Sequence, residues 1–343
     1  MILLTNFNAK SMVNQENKTI KMITTNEEEI LEKLVREDHA FRKIKELVNF
    51  CEIVSPYYSL YSDIGTKGID IVKGFKCLLV QFWEDYSDRQ LEFALRDNMA
   101  VKWFCGFELL EDTPDHSYFG KLRKRLGTGN VAAIFNQVNK ILRDKGYFGD
   151  MFKFVDASAL ITKTALWKER DQAIKEGEEA LNNAVVEKYA ADKDARWGAK
   201  SKNKIWFGYK RHHSVDMRFG LIDKLAVTPA NVLDFQALKN ICPEYQMIFM
   251  DKLYDCKIAN QVLLANNCAG ATIRKNNNKQ KNRDLDRWRS GVRMPYEGCF
   301  SKLRKRAKFR GQVKVVMQCF FEALCHNLKK AIIHNPPLTQ SGA

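Results

Sequence analysis

The spacing of apolar residues divides the chain into two parts with different patterns. Over residues 26–148 the apolar positions recur with the period of a helix, most clearly over residues 70–83. A second helix is expected at about 39–53, and Ser87-Asp-Arg-Gln90 has the form of a capping box that starts another. No alternating, strand-like run interrupts this part. It therefore predicts an all-helical region.

From Tyr147 onward, short apolar runs alternate with helical segments. Residues 151–156 and 246–251 are apolar runs that each end in an acid, and residues 204–228 have the alternation of a hairpin. Charged, helix-prone residues at about 163–200 predict a helical insertion. The order of these elements predicts an α/β domain, in which a mixed β-sheet is flanked by helices.

These patterns define four regions. We expect a disordered tail at 1–25, a helical N-terminal domain at 26–148, an α/β domain at 149–333 and a second tail at 334–343. No apolar run reaches the length of a membrane span, and the N-terminus lacks the basic stretch of a signal peptide. The nine cysteines contain no C-x-x-C pair, which favours reduced thiols in a cytoplasmic protein over a zinc site.

Charge changes the picture, because the chain carries a net charge of +15 at pH 7. Between Arg274 and Arg310, 14 basic residues stand against three acids, and aromatic residues such as Trp288 are interleaved among them. A charge run is most often a solvated face, but one this one-sided favours a polyanionic partner. We expect nucleic acid first and an anionic membrane surface second.

Residues 293–310 lie inside this basic region and predict one helix, preceded by a polar loop at 275–292. Pro295 suits the first turn, and the apolar face would consist of Tyr296, Phe300, Leu303 and Ala307. Glu297 would be the one carboxylate on a neighbouring basic face. From this segment alone, Glu297 either complements the helix dipole and pairs with Arg293, or it serves chemistry.

Three acids form a candidate site. Asp156 and Asp251 each end an apolar run, and acids at the carboxyl ends of neighbouring parallel strands lie close together. With Glu297 they would make three converging carboxylates, which repel one another unless cations lie between them. Oxygen ligands favour Mg²⁺ or Mn²⁺, and a pair of such ions can clamp the two oxygens of a phosphoryl transfer.

Longer motifs make the chain recognisable. The helical part contains Tyr86-Ser-Asp-Arg-Gln-Leu-Glu, Trp103-Phe-Cys-Gly-Phe and Thr113-Pro-Asp-His-Ser-Tyr-Phe-Gly-Lys-Leu-Arg-Lys-Arg-Leu. The α/β part contains Val155-Asp156-Ala-Ser, Gly208-Tyr-Lys, Val227-Thr-Pro-Ala-Asn-Val-Leu-Asp234, Asp251-Lys-Leu-Tyr254 and Arg293-x3-Glu297. Over about residues 65–330 the chain resembles the DDE transposases of bacterial insertion sequences, specifically the insertion sequence 5 type.

The resemblance implies an RNase H-like catalytic domain in which Asp156, Asp251 and Glu297 are the catalytic acids and hold two Mg²⁺ or Mn²⁺ ions. It also implies an enzyme that cuts double-stranded DNA at the terminal inverted repeats and joins the 3′-OH to target DNA. We expect a homodimer on DNA, in the bacterial cytoplasm at the nucleoid. The alternative is a catalytically silent, regulatory or domesticated relative that binds DNA with the same basic surface.

The residues expected to contact DNA are mostly basic. They are Arg293, Lys302, Arg304, Lys305, Arg306, Lys308, Arg310, Trp288, Lys121 and Arg123. Trp288 could stack on a flipped base, and packing inside the protein is an equal alternative.

The chain departs from the family pattern at three positions. Ser290 stands where the family has Tyr, Arg304 where it has Lys, and Leu253 where it usually has Gly. Arg304 keeps the charge without the compact ammonium group, so contacts to the DNA end could differ. All three acids of the expected triad are present.

Four further acids have simpler interpretations. Asp216 and Asp223 flank a hairpin turn and are expected to be turn residues. Asp234 is expected to cap a helix, with a supporting role near the site left open, and Asp255 is expected to be a cap.

Overall fold

The computed structural model describes residues 27–61, 68–162, 183, 186, 190–201, 204–301 and 303–334. The expectations for the tail at 1–25, for most of the insertion and for Lys302 lie outside the described residues. The chain forms two compact units, Met1–Arg125 and Leu126–Ala343. The domain boundaries proposed from the sequence remain predictions.

The first unit is helical throughout its described residues, as predicted. Its helices are α1 to α6, with a 3-10 helix at Ser55–Leu60 after α3, and their bounds are Glu27–Leu34, Ala40–Leu47, Phe50–Val54, Ile71–Trp83, Asp88–Asp97 and Met99–Cys105. The capping box predicted at Ser87 and Gln90 is present. The helix expected at about 39–53 is instead two helices, because the Asn49 side chain accepts from Cys51 N and starts α3.

The next helical element, α7, spans His116–Asp144 and is interrupted at Gly127. Gly127 has φ 72° and ψ 157°, a conformation that a residue with a side chain rarely adopts. At the start of α7, the Asp115 side chain accepts from Ser117 N and Tyr118 N. The residues of α7 from Leu126 onward are part of the second unit.

The second unit contains a six-stranded mixed sheet. Its strands β1 to β6 are Phe152–Ile161, Arg196–Ser201, Lys204–Asp216, Ile222–Pro229, Met247–Met250 and Ala269–Thr272. The order is β2-β3-β1-β5-β6, and β4 also pairs with β3. Strands β1, β5 and β6 are parallel, whereas β3 is antiparallel to β1, β2 and β4. This is the mixed sheet of an RNase H-like fold, as the resemblance implied.

Two expectations about the strands were wrong. Residues 196–201 form strand β2, although they fall in the segment expected to be helical. Asp156 does not end β1, which continues to Ile161. The reason is the pairing with β3, which extends from Lys153 to Ile161 and carries β1 past the point where β5 stops.

Successive strand residues point to opposite faces of the sheet, and helices cover both faces. Helices α8, Asp234–Ile241, and α9, Lys257–Ala265, contribute to a core with Val155 and Met250. On the other face, Phe154 contacts Tyr296 of helix α10, Arg283–Ser301. Helix α11, Gln312–Ala331, follows.

Helix α10 does not have its predicted bounds. It begins at Arg283, inside the expected loop, because the Asn282 side chain accepts from Asp284 N and Leu285 N. It ends at Ser301 rather than at 310, and Pro295 lies inside it rather than in its first turn. Leu303 and Ala307 therefore do not continue an apolar helical face. Among the described residues, no helix is long and apolar enough to cross a membrane.

Candidate active site

Asp156 and Asp251 lie side by side on neighbouring strands. The parallel pairing of β1 with β5 ends at Val155 and Met250, so the next residue on each strand is one of these two acids. Asp251 leads directly into a 3-10 turn at Lys252–Tyr254. The adjacency expected from the two apolar runs is therefore present, although β1 itself continues.

The electrostatics of Asp156 are unusual for a carboxylate. Burial raises the pKa of Asp156 to about 6, and the charge of Asp251 adds to the rise. The N–H of Ala157, which donates to Asp156 Oδ1 at 2.8 Å, and the charge of Arg293 oppose it. The charged form of Asp156 is thus under-compensated, which is the situation that a bound cation relieves.

Arg293 is the basic group within reach of the other two acids. Its Nη1 lies 3.9 Å from Asp251 Oδ1, and its Nη2 lies 3.5 Å from Glu297 Oε1, one helical turn away on α10. The Arg293 side chain is 6% exposed and its guanidinium lies 5.2 Å from the centre of the Phe154 ring. The Arg293–Glu297 pair that the simpler interpretation predicted is therefore present.

The donor set fits a hard cation only in part. Asp156 and Asp251 offer carboxylate oxygens from adjacent positions, as Mg²⁺ requires. Within the described ranges, however, no three His, Cys, Asp or Glu residues lie close enough to hold one ion. Glu297 is paired with Arg293 and its side chain is 55% exposed, so Glu297 is the acid that has to move for a three-carboxylate site to form.

Tyr254 lies near these acids and was not among the functional residues predicted from the sequence. Its hydroxyl is buried and has no hydrogen-bond partner in the described part of the chain. Burial raises the pKa of Tyr254 well above its usual range, and the charges of Asp234, Asp156 and Asp251 add to this. Its place in the Asp251-Lys-Leu-Tyr254 motif was the available signal.

Asp234 does not have the role expected of it. The residue at the N-cap of α8 is Leu233, and Asp234 is the first residue of the helix. Its carboxylate instead accepts from Lys210 Nζ on β3 at 2.8 Å. The cap prediction was wrong because a half-buried lysine 24 residues earlier in the chain binds this carboxylate.

The expected DNA-binding residues fall in different settings. Residues 304–310 leave the helix and form an irregular segment, in which Lys305, Arg306 and Arg310 are exposed while Arg304 and Lys308 are half-buried. Burial lowers the pKa of Arg304. Trp288 is half-exposed and its ring centre lies 5.9 Å from that of Phe249, so one part packs and the other faces solvent.

In the first unit, the two expected contacts differ. Lys121 is exposed. The guanidinium of Arg123 binds both carboxylate oxygens of Asp88, at 2.9 Å and 2.6 Å, and also donates to Gln81. Arg123 therefore has a structural partner of its own.

A second group of acids surrounds Lys153, near the beginning of β1. Asp216 is fully buried and accepts from Lys153 Nζ at 3.0 Å and from Gly149 N at 3.0 Å. It also accepts from Arg218 N within the turn, as a turn residue does. Asp223 is not in the turn but in β4, where it pairs with Lys153 at 3.0 Å.

Asp255 also does more than end a turn. It follows the 3-10 turn, and its carboxylate accepts from Arg274 Nη1, Lys275 N and Asn278 Nδ2 at 2.8–2.9 Å. These contacts fix the start of the basic loop that leads to α10.

Two family models of known proteins match the chain. A family model described as a transposase domain (DUF772) matches residues 29–125, and one described as a transposase DDE domain matches residues 177–328. The second match includes Asp251 and Glu297 but begins after Asp156.

One relative shows the family directly. The chain is 30% identical over 227 residues to the transposase for insertion sequence element IS1106 of Neisseria meningitidis serogroup B, over 62% of this chain and 77% of that protein. A solved piggyBac transposase synaptic complex with hairpin DNA has a TM-score of 0.39 at 10% identity, over 82% of this chain and 71% of that one. The chain therefore belongs to the DDE transposases of insertion sequences, and it is a DNA transposase.

Proposed function

We propose that this transposase cuts DNA at the ends of its element and joins the freed 3′-OH to target DNA by two-metal phosphoryl transfer. Asp156, Asp251 and Glu297 are the proposed catalytic acids. The observation that carries the proposal is the pair of adjacent acids at the end of the β1–β5 pairing, one of them largely buried with a raised pKa. Membership of the insertion sequence 5 type remains a prediction.

The reaction consists of two displacements at phosphorus. Water attacks the phosphodiester at the element's end, a new P–O bond forms, and the bond to the 3′ oxygen breaks and leaves a 3′-OH. That hydroxyl then attacks a target phosphodiester and displaces its 3′ oxygen. This second step therefore conserves the number of phosphodiester bonds. Divalent ions, when bound, would activate the attacking oxygen and neutralise the charge of the leaving oxygen.

The residues of the chain divide this work. Asp156 and Asp251 form the fixed part of the acid site, because both are set by the register of β1 and β5. Arg293 restrains Glu297 and Asp251 before ions bind, since it lies within 4 Å of both. The exposed basic side chains that follow α10 bind the DNA backbone, whose phosphates they attract without regard to sequence.

The partner is double-stranded DNA, and we propose that the enzyme acts on it as a homodimer, with one copy at each end of the element. The DNA that flanks the gene supplies the test substrate, because inverted repeats with a short target duplication would identify the ends. The full-length protein should cut a duplex carrying such an end when Mg²⁺ is added and should not cut it in EDTA.

The same assay separates the alternative function. A chain that binds the end duplex tightly but leaves it intact with Mg²⁺ and with Mn²⁺ would be a silent DNA-binding relative. Cleavage that requires the divalent ion and yields a free 3′-OH supports the enzyme as proposed.

A further inference from the structure

The segment after α10, residues 304–310, is held against the sheet by its backbone; we call it the basic strap. Ile161 N donates to Lys305 O at 2.9 Å, and Ala307 N donates to Ile161 O at 2.8 Å. These bonds use the edge of β1 that β5 leaves open after Val155. The strap therefore extends the sheet on the same edge along which the acid site lies.

Buried side chains hold the rest of the strap. Gln318 on α11 accepts from Lys308 N at 2.7 Å through Oε1, and its Nε2 donates to Glu322 Oε1 at 2.7 Å. The same Nε2 lies 3.4 Å from Arg306 O. Arg211 on β3 donates to Glu322 Oε2 and to Arg304 O, both at 2.5 Å.

Every residue from Arg304 to Lys308 thus has one backbone group bonded outside the strap. The three side chains that supply or support those bonds, Gln318, Glu322 and Arg211, are all buried. Buried polar groups are costly unless they are satisfied, and Gln318 Oε1 and Arg211 Nη2 have these backbone partners only when the strap is in place. What remains exposed on the strap is the set of basic side chains Lys305, Arg306 and Arg310.

We propose that Gln318, held by Glu322 and Arg211, is a positioning residue that fixes the basic strap as a preformed phosphate-binding edge. Preformed order matters because a mobile segment of backbone loses conformational freedom when it is ordered on binding. A strap already in place presents its charges to DNA without that cost. The inference rests on the proposed function, since it takes Asp156 as the marker of the scissile phosphate.

The register of β1 also limits the distance between the strap and the proposed cut. Arg306 is bridged to Ile161, which is five residues beyond Asp156 on the same strand. At roughly 3.3 Å per residue, the separation is about 17 Å. At roughly 3.4 Å per base pair, the strap contacts the backbone within about five base pairs of the cut.

A double-mutant cycle tests the positioning role. In the full-length protein, Gln318→Met should weaken binding to a mixed-sequence duplex about tenfold, because the strap backbone must then be ordered on binding. Replacing Lys305, Arg306 and Arg310 by Ala should weaken binding and reduce the log–log salt slope by about 0.9 per lost contact. Adding Gln318→Met to that triple variant should change affinity no further, since the two act through one element.

Two controls keep the cycle decisive. Asn327→Leu alters another fully buried α11 side chain, whose partners are Ile222 and Asn139, and its effect on binding should be the same with and without the strap charges. Hydrogen exchange at the Ala307 and Lys308 amides should speed up in Gln318→Met and not in Asn327→Leu. If Gln318→Met does not fold, Gln318→Asn replaces it, because it keeps the amide group but shortens its reach to Lys308 N.

The outcomes separate this inference from the proposed function. Equal losses from Gln318→Met in both backgrounds, or unchanged exchange of the strap amides, would overturn the positioning role. An unchanged salt slope in the triple variant would overturn the DNA-binding role of the strap, while metal-dependent cleavage would still stand or fall by its own assay. Neutral methylphosphonate linkages in the end duplex test the distance between the strap and the cut. A strap-dependent loss of affinity from a linkage more than about five positions from the cut would contradict this distance.

Discussion

Strand β1 carries Lys153 and Asp156 three residues apart, and the balance between burial and neighbouring charge differs at these two residues. Burial disfavours the charged form of Lys153, but the charges of Asp223 and Asp216 outweigh it, so the pKa of Lys153 is raised. At Asp156 burial dominates instead, and the pKa of this acid rises to about 6 although Arg293 opposes the rise. Counter-charge therefore outweighs burial at Lys153, in what we call the balanced cluster, and does not outweigh it at Asp156, in the unbalanced cluster.

The difference lies in the counter-charges. The Lys153 cluster has a second cation, because Arg143 pairs with Asp150 at 2.8 Å and with Asp223 at 2.7 Å. The acid site has Arg293, at 3.5 Å and 3.9 Å from its two partners. Several acids at one end of a strand do not by themselves mark a functional site. A deficit of protein counter-charge marks it, because a bound cation can then make up the balance.

The largest expected effect is the loss of cleavage when the acid site is changed. Asp156→Asn, Asp251→Asn and Glu297→Gln should each reduce strand cleavage by more than about a thousandfold, because groups that act as a unit fail together. Binding to the end duplex should stay within a few-fold, since the basic residues hold DNA whether or not it reacts. Cleavage with Mg²⁺ and a gel-shift assay on the same DNA measure the two effects.

The matched control for these variants is Asp284→Asn. Asp284 is an exposed acid in the first turn of α10, where its side chain is 89% exposed. It should cut at the wild-type rate. If Glu297→Gln also cuts normally while both Asp variants are inactive, the third acid is misassigned, and Asp234 is the next candidate.

The sequence predicted the part of this comparison that depends on local pattern. Asp156 and Asp251 each follow an apolar run, and two such runs place their acids together when the strands are neighbours and pair in parallel, as β1 and β5 do with Val155 opposite Met250. The helical first unit and its capping box at Ser87 follow from spacing and cap chemistry in the same way.

Long-range pairing explains what the sequence did not predict. Asp216 and Asp223 were interpreted as turn residues because their partner Lys153 is distant in sequence, 63 positions from Asp216. Asp234 was interpreted as a cap because Lys210 is distant in sequence. The basic residues after Ser301 have helical propensity, but the bonds of the strap to Ile161 and Gln318 hold them in another conformation.

Removing the cation of the balanced cluster should destabilise the fold. Lys153→Met leaves Asp216 fully buried beside Asp223 without Lys153, and breaking such a pair costs roughly 3–5 kcal/mol. Urea unfolding at neutral pH measures the difference. As a control, Lys140→Met breaks an exposed pair with Asp144 and should cost less than about 0.5 kcal/mol. Equal losses in the two variants would remove the distinction between the clusters.

In the unbalanced cluster, removing the charge of Asp156 should stabilise the fold. Because the folded-state pKa of Asp156 is about 6 and its ordinary value is 3.8, the folded protein binds this proton more tightly than the unfolded chain does. Wild-type stability should therefore fall, relative to Asp156→Asn, as pH rises from about 4 to 6, and stay lower above that. The gap should reach about 1–3 kcal/mol in EDTA. Unfolding curves of both proteins across this range measure it, and a gap that is constant with pH would contradict the assignment.

The smallest expected effect separates a replaceable counter-charge from a permanent one. Arg293→Gln removes an ion pair of 3.5 Å to Glu297 and one of 3.9 Å to Asp251. The Glu297 side chain is more than half exposed. The cost of Arg293→Gln to stability in EDTA should be about 1 kcal/mol or less, well below that of Lys153→Met.

Removing this cation also frees Glu297 and leaves the acids with more uncompensated charge, so Mg²⁺ should raise the melting temperature at a severalfold lower concentration than in wild type. Arg287→Gln, an exposed change on the same helix, should leave the Mg²⁺ midpoint unchanged. A higher midpoint in Arg293→Gln would show that Arg293 helps to build the metal site, and Arg293 would then belong with Lys153 as a permanent part of the structure.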